Sequence, residues 1–272
     1  MKLPVTHRNL FFGLWLGALP AGLPLPAAAQ GPEPARAETY AVLGAGKGAQ
    51  FSVPQVRLAD EAASQRINRA IARAVVAAAT APIDTTAALP RQLRQVATDD
   101  CCLTGARFQV LLNQGYLFSV KLSLEFRGTP SYERQRYLVF DLGTGQSLPL
   151  AALVADPPAQ LTRRLEAAVN RRVSEFLADS AGHSLRSRTV LAQALHWNTT
   201  TRQVDFKSGA LAPSLQEFAL TPHALLLVYE AGQPAAAALA DVPDETYRIP
   251  YARLQARGRL AELVQKNMPA AR

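Results

Sequence analysis

Residues 117–126, with the sequence LFSVKLSLEF, have the strongest β-strand pattern in the chain. From Phe118 to Phe126 every second side chain is apolar, and the side chains between them are Ser, Lys and Glu. Successive side chains of a β-strand point to opposite faces of its sheet. The alternation therefore predicts a strand of an antiparallel sheet that is apolar on one face and wetted on the other.

Further strands are predicted on both sides of this stretch. Residues 108–112 predict a strand before it, and the turn residues 113–115 join the two. Residues 136–142 predict a third strand, which the turn Gly143-Thr144-Gly145 connects to a short strand near 147–150. Three or more adjacent strands with an apolar face are stable where a single hairpin is not, so these segments predict the central sheet.

Two helices are predicted from spacing and capping residues. Asp60 is a suitable N-cap for a helix whose apolar residues recur every fourth position. A longer helix is predicted from Asp156 to Ala178, with Asp156 as the N-cap and Pro157 in its first turn. The apolar stripes of the two helices are Ile67, Ile71 and Val75, and Leu161, Leu165, Val169, Val173 and Leu177.

Shorter elements follow the long helix. A weaker helix is predicted over 188–195, strands over 218–220, 224–229 and 246–249, and an amphipathic helix over 254–264. Helices and strands thus come in the order expected of an α+β fold, with an antiparallel sheet, helices packed on one face and a long central helix.

The first 29 residues have the composition of a secretory signal peptide. Lys2 and Arg8 precede an apolar run over 10–23, and Ala27-Ala28-Ala29 supplies a small-residue cleavage site. The apolar run is shorter than the ~20 residues of a membrane-spanning helix. We expect a signal peptide at 1–29, a periplasmic or secreted mature protein, no lipid-anchor cysteine near the cleavage site, and no transmembrane segment after cleavage.

Charge and cysteines narrow the classes of partner. Without Lys2 and Arg8 the formal charge falls from +8 to +6, and the arginines are scattered instead of being interleaved with aromatic residues. This pattern argues against nucleic-acid binding.

The adjacent pair Cys101 and Cys102 has three possible states in an oxidising compartment: a strained disulfide between neighbours, free thiols, or a bridge to another chain. We interpret the pair as structural or incidental.

The sequence contains none of the common catalytic signatures. His183, His196 and His223 do not pair at the spacing of a helical zinc site. The serine-hydrolase motif Gly-x-Ser-x-Gly is absent, and Gly44-Ala45-Gly46-Lys47-Gly48 does not have the residues of a phosphate-binding loop. We expect no enzyme activity, no cofactor and no metal site.

Three blocks of the chain resemble one bacterial family. They are 115–120, 137–145 with Leu148, Leu150 and Leu153, and the closing segments 218–221, 229–230 and 247–254. Their order is similar to that of the extracytoplasmic domain of RsiV-type anti-sigma factors, which also accompanies PdaC-type polysaccharide deacetylases. The resemblance divides the chain into a flexible leader at 30–38, an N-terminal part at 39–145, a C-terminal part at 146–254, and a C-terminal helix and tail at 255–272.

The resemblance implies a role in binding or sensing in the cell envelope, with a muramidase or peptidoglycan as the expected partner. We expect no sigma-binding segment and no deacetylase domain, and the loop 127–131 lacks the family's histidine. The expected contact residues lie in that loop and after the last long strand: Arg127, Gly128, Thr129, Pro130, Tyr132, Tyr229 and Glu230. In one hypothesis Arg127 pairs with the catalytic carboxylates of a muramidase.

Two other functions stay open at this point. One is an enzyme of unrecognised type that acts on wall polysaccharide, and the other is a structural envelope protein without a specific soluble ligand. The sequence does not indicate the oligomeric state.

Overall fold

A computed structural model describes residues 36–39, 42–43, 50–77, 103–127, 132–206, 213–229 and 244–267. The predicted signal peptide and Cys101 and Cys102 lie outside these ranges. The described residues form an α+β fold whose strand pairs are antiparallel, apart from one parallel pair in the largest sheet, which confirms the predicted class.

The largest sheet has five strands in the order β2-β3-β5-β6-β7. Its strands are β2 (Val42–Leu43), β3 (Gln50–Phe51), β5 (Leu103–Gln114), β6 (Leu117–Phe126) and β7 (Tyr132–Asp141). A separate pair joins β1 (Arg36–Thr39) to β4 (Pro54–Arg57). The hairpin between β5 and β6 turns at Gly115 and Tyr116, and Gly115 has the positive φ of 60° that favours glycine.

Helix α1 (Glu61–Val76) covers the apolar face of this sheet. Asp60 caps it as predicted, because its carboxylate accepts the backbone N–H groups of Ala62 and Ala63. The predicted stripe is confirmed, and its three members are fully buried against the alternating residues of β6. The core below α1 therefore follows directly from two periodicities, 2 for the strand and 3.6 for the helix.

The turn after β7 packs against the start of α1. Arg66 donates from Nε to the carbonyl oxygen of Thr144 at 2.7 Å. Gly145 has φ +69°, and a Cβ built there would lie 2.4 Å from the carbonyl oxygen of Ala63. Glycine is required at position 145 both by its conformation and by this close approach.

The polar face of β6 is not simply wetted, because a second sheet lies over it. That sheet consists of β10 (Phe218–Leu220), β11 (Ala224–Val228) and β12 (Thr246–Pro250), all antiparallel. Ser119 is fully buried, and its hydroxyl accepts the backbone N–H of Leu220 at 3.0 Å. The serine thus satisfies a backbone donor of the covering sheet at the point where the two sheets meet.

The outer edge of β7 is also covered. The backbone of residues 146–148 bonds to Asp141 and Val139, and Glu217 accepts the N–H of Tyr137 at 3.2 Å. Glu217 also pairs with Arg136 at 2.5 Å. Covering an edge strand in this way removes an open template for pairing with another chain.

Three helices and a small hairpin complete the C-terminal part. They are α2 (Pro158–Ala178), α3 (Leu185–Ala194), α4 (Gly258–Asn267) and the pair β8 (Trp197–Asn198) and β9 (Gln203–Val204). Helix α2 packs its stripe into a second core together with β11, β12 and α4. The stripe ends on Phe176, whereas Leu177 is only partly buried. The helices therefore divide between the sheets, with α1 on the five-stranded sheet and α2 on the three-stranded sheet.

Asp156 does not cap α2, contrary to the prediction. The helix begins at Pro158, and the N-cap position is Pro157. The Asp156 carboxylate instead accepts the backbone N–H of Gln255 at 2.6 Å and pairs with Arg164 at 3.2 Å. Asp156 is buried, so these contacts join the start of α2 to the segment before α4.

The C-terminal helix is fixed to the hairpin end of the large sheet. Arg259 lies over the ring of Tyr116, 4.1 Å from its centroid, and donates to Asp141 at 3.2 Å. The pKa of Arg259 is raised although burial lowers it, because hydrogen bonds to Glu262 and Asp141 favour the charged form. Within the described ranges, no helix is long and apolar enough to cross a membrane.

Candidate functional site

A groove between α2 and β12 carries a concentration of positive charge. Four arginines line it, and we call it the arginine groove: Arg164, Arg171, Arg248 and Arg253. Its volume is about 560 Å³. Apolar side chains that include Leu165 and Ile249 form its floor, and none of the described residues lining it is acidic.

The local structure explains why these arginines converge. Arg164 and Arg171 are seven residues apart on α2, which places them two turns apart on one face of the helix. Arg248 lies in β12, and Arg253 lies in the 3₁₀ turn Tyr251–Arg253 directly after that strand. The groove thus brings together a helix and a strand that are about 80 residues apart in sequence.

Arg164 is held in place by fixed acceptors. Its guanidinium donates to the Asp156 carboxylate at 3.2 Å and to the carbonyl oxygen of Arg253 at 2.9 Å. Because Asp156 also accepts the N–H of Gln255, one buried carboxylate positions both an arginine and the backbone that follows β12.

A fifth arginine fastens β12 to α2 beside the groove. Arg172 donates to the carbonyl oxygens of Asp244 and Thr246, the latter at 2.8 Å, and its guanidinium lies 4.1 Å from the ring centroid of Tyr247. Burial raises the pKa of Tyr247 to about 12. Because a tyrosine with an ordinary pKa near 10 is already neutral at physiological pH, Tyr247 presents an uncharged wall to the groove with or without this shift.

The other three arginines have a different character. Arg171, Arg248 and Arg253 are exposed, and no ion pair or hydrogen bond from their side chains is found within the part of the chain that the structure describes. Three guanidinium groups above an apolar floor create a positive potential that attracts anions. The guanidinium fork also matches carboxylates and phosphates in a bidentate geometry.

The contact residues predicted at the hairpin tip are only partly described. Arg127 is exposed at the end of β6, and Tyr132, with 37% of its surface exposed, stacks on Phe126 at a centroid distance of 5.0 Å. Gly128, Thr129 and Pro130 lie outside the described residues. Arg127 and Tyr132 thus remain candidates for a surface contact at this tip.

Tyr229 does not lie on the surface, contrary to the prediction. It is 5% exposed and meets Phe206 edge to face in the second core. Its hydroxyl has no hydrogen-bond partner among the described residues, and burial raises its pKa to about 12. Glu230 lies outside the described ranges. The apolar run of β11 simply continues into Tyr229, which explains its burial.

The arginine groove is not predicted from the sequence. Arg164 and Arg171 lie outside the predicted apolar stripe of α2, and Arg248 and Arg253 belong to the closing block 247–254 that resembles the family. The sequence does contain one indication of the groove, because arginines in α2 and around β12 lie next to apolar residues that belong to the same core. Within the described ranges, no group of three or more His, Cys, Asp or Glu residues is placed to hold a metal ion.

Comparisons with known proteins find structural similarity only. No family model matches the chain, and no curated protein matches it. A DUF3298 family protein from Pseudomonas aeruginosa PAO1 is similar with a TM-score of 0.49 and 16% identity, over 83% of this chain and 94% of that one. A DUF3298 member from Bacteroides fragilis gives 0.48 and 14%, over 86% and 96%. The solved structures that it resembles are thus members of a domain family of unknown function.

Proposed function

We propose that this protein is an exported, non-catalytic binding module of the cell envelope, similar in role to the RsiV-type ectodomain, and that it holds an anionic wall glycan in the arginine groove. The observation that carries the proposal is the set of three exposed arginines without described partners above an apolar floor. The signal-like residues 1–29 support the location, since a wall ligand is met outside the cytoplasm.

Charge complementarity favours a glycan acid over a neutral sugar. The groove supplies guanidinium donors, and among its described lining residues it offers no carboxylate that would repel an anion. The apolar floor suits the carbon face of a sugar ring, while Arg164, fixed by Asp156, supplies a positioned donor. Rigid donors lose less entropy on binding than mobile ones.

Calorimetry with peptide-free peptidoglycan saccharides tests the proposal. Each muramyl unit of these saccharides has a free carboxylate, whereas chitooligosaccharides of equal length are neutral. We expect binding of the acidic series only, with an affinity that falls as salt screens the charges. The double substitution Arg248→Ala/Arg253→Ala should weaken binding by roughly 0.4–2 kcal/mol, about two- to thirty-fold, at 0.2–1 kcal/mol per exposed pair.

Arg186→Ala is the matched control, because Arg186 is exposed on α3 and lines no part of the groove. Equal binding of acidic and neutral saccharides, or equal losses in the groove variant and the control, would contradict the proposal.

A muramidase is the second candidate partner, and the exposed Arg127 and Tyr132 favour it. Both belong to residue types enriched in binding hot spots. In this case Arg127→Ala should abolish muramidase binding, while Arg248→Ala/Arg253→Ala leaves it unchanged. Unchanged muramidase affinity after Arg127→Ala would remove the hairpin tip as its site.

A further inference from the structure

The far side of α2 has a second groove, which is lined by uncharged polar and acidic side chains instead of arginines. It lies against the β8–β9 hairpin, has a volume of about 360 Å³, and we call it the hairpin groove. Its polar members are Glu166, Asn170, Asn198, Thr201, Gln203 and Asp205. Amides, a hydroxyl and carboxylates together offer both donors and acceptors, which is the combination that sugar hydroxyls require.

Specific contacts hold this groove in shape. Asn170 on α2 accepts the backbone N–H of Val204 at 2.6 Å, which attaches the hairpin to the helix. Asn198 accepts the N–H groups of Thr200 and Thr201, each at 2.9 Å, and so fixes the tip. The side chains of Thr201 and Gln203 are exposed.

A third depression connects the two grooves across α2. It has a volume of about 500 Å³. Glu166, Asn170 and Gln203 line it together with the hairpin groove. Ala167 and Arg171 line it together with the arginine groove. Because the shared residue Ala167 is small and exposed, the surface is continuous from the arginines to the hairpin.

We infer that this continuous surface binds one extended oligosaccharide, with its acid groups on the arginines and its uncharged hydroxyls in the hairpin groove. The inference rests on the proposed function and specifies its ligand. A helix with its side chains is about 10 Å across, so a ligand that reaches both grooves must be longer than one sugar ring. Glu166 lines the connecting depression together with Arg163 and Arg202, and this mixture of charges suits a ligand whose acid groups are spaced by neutral sugars.

Binding of peptide-free peptidoglycan di-, tetra- and hexasaccharides to the purified protein tests this inference. We expect the tetrasaccharide to bind at least about five-fold tighter than the disaccharide, because one added hydrogen bond contributes about that much. The double substitution Thr201→Ala/Gln203→Ala should reduce this gain to less than about two-fold and leave disaccharide affinity unchanged. Neither side chain has a described hydrogen-bond partner. Gln265→Ala, exposed on α4, is the control.

The outcomes separate the two proposals. Disaccharide binding without a gain in affinity at greater length would overturn the extended site and leave the arginine groove in place. A length-dependent gain that survives Thr201→Ala/Gln203→Ala in a folded variant would also overturn it, because the added contacts would lie elsewhere. The absence of binding at every length would overturn the proposed function, and this inference with it.

Discussion

Replacing Asp156 with alanine removes the acceptor that joins the start of α2 to the segment before α4. The Asp156 side chain is 2% exposed, and its carboxylate accepts the Gln255 N–H at 2.6 Å and pairs with Arg164 at 3.2 Å. Alanine leaves the Gln255 N–H without this acceptor, and it leaves Arg164 with the carbonyl oxygen of Arg253 as its remaining described acceptor.

The magnitude follows from these two contacts. A hydrogen bond from a backbone N–H to a charged acceptor contributes about 1.5–3 kcal/mol. The Arg164 side chain is 36% exposed, so solvent screens the ion pair, and we assign it only about 0.2–1 kcal/mol. Asp156→Ala should therefore lower the free energy of unfolding by roughly 2–4 kcal/mol. Asp156→Asn, which keeps an acceptor but loses the charge, should lower it by about half as much.

Equilibrium unfolding in urea, followed by circular dichroism, measures this loss. With an m-value of about 2–3 kcal/mol/M, the midpoint for Asp156→Ala should fall by roughly 1 M. Glu175→Ala is the control, because Glu175 is exposed on α2, and such changes usually stay within about 0.5 kcal/mol. Arg164→Ala keeps the Gln255 hydrogen bond but removes the ion pair and the bond to the Arg253 carbonyl oxygen, and it should cost about 1–2 kcal/mol.

A loss for Asp156→Ala no larger than that of the control would refute this reasoning. It would mean that the Gln255 N–H finds another acceptor at no cost, and that Asp156 does not join the two segments.

Three further predictions concern stability. Gly145→Ala should cost more than about 3 kcal/mol, since its Cβ would meet the Ala63 carbonyl oxygen at 2.4 Å, whereas Gly115→Ala, in open space at φ +60°, should cost about 1–2 kcal/mol. Tyr251→Phe should cost about 1 kcal/mol, because its hydroxyl donates to a carbonyl oxygen at 2.5 Å, while Tyr229→Phe should be neutral or stabilising. Burial raises the pKa of Tyr229 from 10.0 to about 12, so the folded state favours the neutral phenol; the stability present below pH 10 is lost as the pH rises through 12, because deprotonation then favours the unfolded chain. Unfolding free energies measured between pH 9 and pH 12 should therefore decline less steeply in Tyr229→Phe.

Each pair contains its own control. Equal losses in the two glycine variants would mean that the turn after β7 moves away from α1 at little cost. A destabilised Tyr229→Phe would mean that the buried hydroxyl has a partner. If the unfolding free energy of Tyr229→Phe declines as steeply at alkaline pH as that of the unchanged protein, other titrating groups cause the decline.

The periodic spacing of apolar residues predicted those helices and strands in which buried side chains recur at regular intervals. The alternation in β6 and the fourfold spacing in α1 encode which side faces the core, so both were predicted from sequence. Ser119 has the polarity of a wetted position, yet it is buried because it accepts an N–H from Leu220, 101 residues away. A contact between residues so far apart in sequence cannot be predicted from local sequence patterns.

The same limit applies to the candidate site. Asp156 precedes two prolines at a helix start, where local rules favour capping, but a long-range backbone donor and Arg164 occupy its carboxylate instead. Arg171 and Arg248 become neighbours only when β12 lies beside α2. Their shared role depends on tertiary packing, so no local pattern in the sequence brings them together.

The position of α4 has a consequence for the time at which the chain can fold. Leu260 and Leu263 complete the second core, and Arg259 reaches back 118 residues to Asp141. Because these residues belong to the second core, that core is complete only when residues 258–267 are present. The buried members of the core below α1 all lie between Val53 and Leu142, so that core can form first, and long-range closure makes the second core slower to form.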